Sequence, residues 1–325
     1  MMRADVGRLL LAGALLAPIG VLAQAFEPSP PAAGAGPPAE IWAPIFAPPR
    51  PATAPRPSEL AAALRRNDEA AVRRLLAEGA DANAVWGRAE PPLAIAIRQR
   101  SLPLVRLLLE YGADADGVVP AAGATLLQLA VRQADLALVA ALVEAGAGVN
   151  RPSPGEVRWQ PERSGDTALH EAAALGDLAL VEYLLGRGGD VNAPNRTGLT
   201  PLHHAAGAGQ LAVIGALLGR GAEIDRPSRI GATPLHWAVR QGQTEAVRLL
   251  VEQGAEVNVR TAQGSTPLHG AVARGDRAMV EILLAQGASV DAVGLQGETP
   301  LMLARRLADP ELIRRLEARS SAPPP

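Results

Sequence analysis

The sequence predicts a solenoid, an array of one helical unit stacked on copies of itself, and three observations predict it. A Thr-x-Leu-x tetrapeptide returns at Thr167, Thr200, Thr233, Thr266 and Thr299, each 33 residues after the last. A fixed period of this length marks a repeat whose units bury their apolar faces only against neighbours. Fourteen residues after each origin stands Val72, Val105, Val139, Val181, Ile214, Val247, Val280 or Ile313. In the first seven units an apolar pair follows three and four residues later, such as Leu75-Leu76 or Leu217-Leu218, and i, i+3, i+4 is one helix face. Then comes punctuation: glycine at Gly79, Gly112, Gly146, Gly188, Gly221, Gly254 and Gly287, where a helix ends in a left-handed cap. An Asn or Asp closes each unit from Asn83 to Asp291, in turn chemistry.

Residues 1–25 precede the array. A short basic start holds Arg3 and Arg8, Leu9 to Leu22 is apolar around Pro18, and Ala23-Gln24-Ala25 is a small-x-small cleavage pattern. The apolar run is shorter than the roughly 20 residues a membrane span needs. We expect a secretory signal peptide cleaved before Phe26, with an uncleaved anchor as the alternative. Its removal takes two positives and one negative from a chain of net charge −2, leaving about −3. The expected address is periplasmic, with full secretion second.

Residues 26–57 are rich in Pro, Ala and Gly, a composition for an extended, partly polyproline II tether without a packed fold. Ile41, Trp42, Ile45 and Phe46 interrupt it as an apolar island, either docking on the solenoid or serving as a partner motif.

The array runs over residues 58–319, with origins at Ser58, Pro91, Thr125, Thr167, Thr200, Thr233, Thr266 and Thr299. Pro201, Pro234, Pro267 and Pro300 suit the first helical turn, where a missing N–H costs nothing, and the threonines are placed to cap it. In the last unit Asp309-Pro310 starts a helix, and Glu317 stands where other copies have Leu or Val, as a capping repeat requires. Residues 320–325 form a loose tail.

The copies Thr-Pro-Leu-His at Thr200, Thr233 and Thr266, with Thr167-Ala-Leu-His170, resemble the ankyrin repeat family, whose signature is Thr-Pro-Leu-His-x-Ala within 33 residues. The resemblance is strongest in the five later copies and weaker in the first three. It implies an all-α fold of about eight repeats including end caps, one helix-turn-helix per repeat with a hairpin-like loop at one edge. It also implies a protein-binding module, expected to be monomeric and not an enzyme, with no cofactor.

Composition narrows the chemistry. There is no lysine, as a GC-rich bacterial genome gives, so P-loop phosphate binding and lysine Schiff bases are excluded. There is no cysteine, which excludes disulfides, cysteine nucleophiles and thiolate metal sites. His170, His203, His236 and His269 sit in register, yet stacked helices lie about 8–10 Å apart, too far for register partners to share a metal whose ligands sit about 2 Å away. We read them as structural. His204 is the one extra histidine, and a heme or metal role would centre on it. Gly207-x-Gly209-x-x-Ala212 matches a dinucleotide fingerprint, but between two helices and after no strand, so it is a coincidence of repeat chemistry.

Function is sought where the pattern breaks. Arg98, Arg132, Arg240 and Arg274 recur near first-helix ends, slots that the family resemblance puts on the inner, concave surface. Each favours the helix dipole, and together they would also attract an acidic partner surface. Between Thr125 and Thr167 the interval is 42, nine too long, and the surplus holds Arg158, Trp159 and Arg163. A loop Trp beside Arg is the composition of a binding hot spot, or else packs on its own repeat. Trp86 marks another loop tip, and Trp237 follows His236. The expectation is a protein partner, not nucleic acid and not a membrane. A second possibility is a helper or inhibitor of a single periplasmic enzyme, such as a stress-protection enzyme or a toxic hydrolase.

Overall fold

The computed structural model describes residues 57–85, 90–119, 122–155, 163–294 and 297–320. The signal and tether segments, the 41–46 island, Trp86, Arg158 and Trp159 lie outside the described residues.

Eight helix pairs follow one another along the chain. They are α1 (Pro57–Arg65) with α2 (Glu69–Ala77), α3 (Pro92–Arg98) with α4 (Leu102–Glu110), α5 (Leu126–Arg132) with α6 (Leu136–Glu144), and α7 (Ala168–Leu175) with α8 (Leu178–Gly186). Then come α9 (Pro201–Ala208) with α10 (Leu211–Gly219), α11 (Pro234–Gln241) with α12 (Thr244–Glu252), α13 (Pro267–Arg274) with α14 (Arg277–Ala285), and α15 (Pro300–Arg306) with α16 (Pro310–Ser320). First helices pack on first helices and second on second, giving two layers. One apolar core runs between them from Leu60 to Leu316. The valines of the second helices, Val72 to Val280, are fully buried, whereas Ile313 of the last unit is only partly so. Two short strands, β1 (Val118–Val119) and β2 (Ala124–Thr125), pair antiparallel between the second and third units.

Local chemistry explains where helices start and stop. Asp68, Asp135, Asp177 and Asp276 accept amide hydrogens at the start of second helices, and Asp309 does so from Glu311 and Leu312. The turn between paired helices needs a left-handed residue. Gly176, Gly209, Gly242 and Gly275 supply it at φ +69 to +82°. In the outer units Asn67, Arg100, Ala134 and Ala308 are forced there at φ +51 to +56°, a conformation that costs an L-residue roughly 1–2 kcal/mol.

The histidines bind repeat to repeat. In each, Nδ1 accepts from the Thr amide three residues earlier, at 3.1, 3.0, 3.2 and 3.1 Å for His170, His203, His236 and His269. The threonine hydroxyl turns to the same nitrogen at 2.9 Å. An accepting Nδ1 puts the ring proton on Nε2. That Nε2–H donates across the boundary to the carbonyls of Leu199, Ala232, Ser265 and Glu298. Gln128 fills the slot in the third unit and does the same work: Oε1 accepts from Thr125 N at 2.8 Å and Nε2 donates to the Asp166 carbonyl. The last copy carries Met302, and among the described residues no further unit follows to accept such a bond.

The closing Asn residues do more than make turns. Asn83, Asn150, Asn192 and Asn258 each donate Nδ2–H to a glycine carbonyl of the next unit and accept an amide two residues beyond it, all at 2.8–3.0 Å. Asp116 and Asp225 can only accept, from Gly148 N and Glu256 N. Loop tips add a backbone bond at each of three central boundaries: Arg196 N to Ser164 O, Arg229 N to Thr197 O and Ala262 N to Ile230 O, each 2.9 Å.

Candidate functional site

Against this regular background the departures gather on the first-helix face. The residue after each histidine position varies along the array: Leu129, Glu171, His204, Trp237, Gly270 and Leu303. Of these, His204, Trp237 and Gly270 are partly exposed, whereas Leu129, Glu171 and Leu303 are buried.

Glu171, only 4% exposed, sits between two guanidinium groups, Arg132 at 2.6 Å and Arg163 at 3.2 Å. Two cations thus share one carboxylate. Beside it lies a second polar pair. Asp166 is buried, and its Oδ1 accepts from Asn195 Nδ2 at 2.7 Å. His204 Nε2 stands 3.4 Å from the same oxygen, longer than an ordinary N–H···O bond. Burial pushes the Asp166 carboxyl up, but the nearby His204 imidazole, with His170 and Asn195, outweighs it and holds the group below its ordinary value. His204 meets the His170 ring edge to face, with centroids 5.2 Å apart. Both Asp166 Oδ2 and His204 Nε2 are buried without a hydrogen-bond partner.

His204 opens onto a cavity of about 200 Å³. Small residues of two first helices, Ala174, Gly207 and Ala208, leave the space; Arg163 lines it, and Trp237 and Gln241 close its other side. Trp237 also lines a larger cavity of about 470 Å³ that continues over α13 and α15. There Gly270 and Ala273 replace bulk, Val239 and Leu303 supply apolar wall, and Arg240, Arg274 and Arg306 supply charge. Gly270 is fixed by packing, because a Cβ there would meet Val239 Cγ1 at 2.9 Å. Arg240 lies over the Trp237 ring at 4.9 Å, a cation–π contact. Arg274 donates to the Arg240 carbonyl at 2.8 Å.

The arginines expected to form one stripe are not equivalent. Arg98 is paired with Glu90 at 2.6 Å and Arg132 with Glu171, so carboxylates from outside the aligned slots neutralise that end. Arg306 pairs with Glu298. Among the described residues neither Arg240 nor Arg274 has a carboxylate within ion-pair distance. Trp237 thus stands between a smaller cavity lined by Arg163 and a larger one lined by Arg240 and Arg274, and neither Arg98 nor Arg132 lines either of them.

Sequence reasoning did not name Asp166 or Glu171, and gave His204 only as the centre of a heme or metal role. The signal was available: Asp166 is the only Asp immediately before a repeat origin, and Glu171 the only acid following a histidine position. Among the described residues no group of three or more His, Asp or Glu side chains is placed to hold a metal ion, and no helix is long and apolar enough to cross a membrane. Asn195, which opens the Asn-Arg-Thr sequon, is buried and bonded to Asp166. Gly207 and Gly209 of the dinucleotide-like motif lie in a helix and its left-handed cap.

The family model described as ankyrin repeats in three copies matches residues 60–153, 155–228 and 217–294. No curated protein matches the chain.

Proposed function

The chain belongs to the ankyrin-repeat family, and from that premise we propose that it binds a partner protein along its first-helix face, centred on Trp237. Ankyrin repeats are protein–protein interaction modules. The observation that carries the reading is the cleft itself: a partly buried Trp flanked by Arg240 and Arg274, neither matched by a carboxylate. Trp and Arg in a desolvated hollow are the residues on which binding energy concentrates. Loop tips carrying Trp86, Arg158 and Trp159 belong to the same reading as flanking contacts. The work is adaptor work, and we put it in the periplasm on the strength of the Met1–Ala25 pattern.

The test uses a photo-crosslinking amino acid placed at Arg240 on the first-helix face or at Glu252 on the second. In cells of the native host the first should yield a discrete adduct that Trp237→Ala removes. Equal adducts from both positions, or one from Glu252 alone, would overturn the assignment of the face.

A further inference from the structure

The two cavities on either side of Trp237 differ in chemistry, and that difference specifies what lies across them. The smaller is too small for a typical small-molecule pocket of about 300–1,000 Å³ and has the size for a single side-chain head group. Its wall holds His204, whose Nε2 is turned to the buried Asp166 carboxylate at 3.4 Å, and Arg163, one of two cations on a single carboxylate. The larger is lined mainly by Val239, Ala273, Leu303 and the faces of Trp237 and Ile230. Its one buried unpartnered polar atom is Thr261 Oγ1.

We propose that an extended segment of the partner protein crosses Trp237, placing a carboxylate side chain in the smaller cavity against Arg163 and an apolar side chain in the larger. The proposal rests on the first-helix face being the binding face. Charge complementarity supports it: Arg240 and Arg274 line the larger opening with no carboxylate within ion-pair distance and Arg163 lines the smaller, which favours an acidic segment and disfavours a basic one. The spacing follows from the scaffold. Successive first helices lie about 8–10 Å apart, and an extended segment in the polyproline II form advances about 3.1 Å per residue with three residues per turn, so that every third side chain returns to the same face. The acid and the apolar residue are therefore about three positions apart.

The test is a selection of random dodecapeptides displayed on phage against the full chain, followed by affinities of the synthesised winners. The expected winners carry Asp or Glu three positions from Leu, Ile, Val, Met or Phe. Replacing that Glu by Gln in the peptide should weaken binding about tenfold, as loss of a charge pair at a desolvated site does. The same peptide change should cost little against Arg163→Gln protein, because the interaction is already gone. Gly207→Leu, which fills the smaller cavity and leaves Asp166 and His204 in place, should weaken binding of the acidic peptide.

Winners without an acid, or a Glu→Gln loss that persists undiminished in Arg163→Gln, overturn this proposal. If such winners still depend on Trp237, the face is right and only its ligand is wrong. Winners indifferent to Trp237→Ala overturn both readings, as does an empty selection.

Discussion

His203 Nε2 donates to the carbonyl oxygen of Ala232 at 3.1 Å, across the boundary between two repeats, while Nδ1 of the same ring accepts from Thr200 N–H at 3.0 Å. One imidazole thus fixes the start of its own helix and the loop of the next unit, and it can do so only as the neutral Nε2–H tautomer. Protonation would place a hydrogen on Nδ1 and set it against the Thr200 amide.

This makes the array acid-sensitive. Burial lowers His170 to about 4 and His203 to about 3, and burial also lowers His236 and His269. The unfolded chain binds these protons near pH 6.5 and the folded chain does not, so unfolded protein gains protons first as pH falls. Stability is complete above pH 6.5 and is lost as pH drops through the window from 6.5 towards 4 and 3. Each proton contributes a slope of about 1.4 kcal/mol per pH unit. Urea midpoints should be flat near neutrality and fall steadily below pH 6.5.

The Gln128 solution predicts a rescue. His203→Gln should keep both bonds, cost less than about 1.5 kcal/mol at pH 7, and flatten the acid slope by about one proton. His203→Ala leaves the buried Thr200 amide and a cavity, and should cost about 2–4 kcal/mol. Urea unfolding at pH 7 and pH 5 separates the two.

The turn between paired helices gives a second pair. At Gly275 an added Cβ meets nothing within 4 Å, so Gly275→Ala isolates the backbone term at φ +69°. It should cost about 1–2 kcal/mol. Ala134→Gly, which relieves φ +51°, should raise stability by about 0.5–1 kcal/mol, the relief being partly offset by unfolded-chain entropy. Equal and small effects in thermal unfolding would contradict the strain account.

The closing residue of each unit offers a third. Asn192→Asp keeps the bond from Glu223 N but loses the donor to Gly221 O, and should cost about 1 kcal/mol. Asp225→Asn should gain about 0.5–1 kcal/mol by adding the missing donor, the Asp225 carboxyl being one that burial raises. Chemical denaturation at pH 7 reads both signs.

The repeat frame was legible because its determinants are local and periodic. Val72 to Val280 announce the buried face, Gly176 to Gly275 the left-handed turn, and Asp309-Pro310 the last helix. The histidine bonds were legible as structural but not in direction, since the acceptor at Leu199 or Ala232 lies 29 residues on. Asn192 looked like a turn residue, and only stacking shows that it bonds the next unit. The cleft was half legible. Trp237 and Arg240 stood out by type, whereas the Asp166–His204 pair joins residues 38 apart. Neutralisation of Arg98 by Glu90 and Arg132 by Glu171 also depends on folding, because the acids come from unaligned positions.

The most direct measurement is the affinity for the crosslinked partner of a double charge reversal, Arg240→Glu with Arg274→Glu, against the second-layer control Arg220→Glu with Arg248→Glu. All four side chains are charged and none is in the buried core, so both variants should fold alike by circular dichroism. The account predicts a loss of about a hundredfold or more for the first pair, the scale of losing two interface charges, and less than about threefold for the control. Equal losses, or a loss confined to the control, would contradict it.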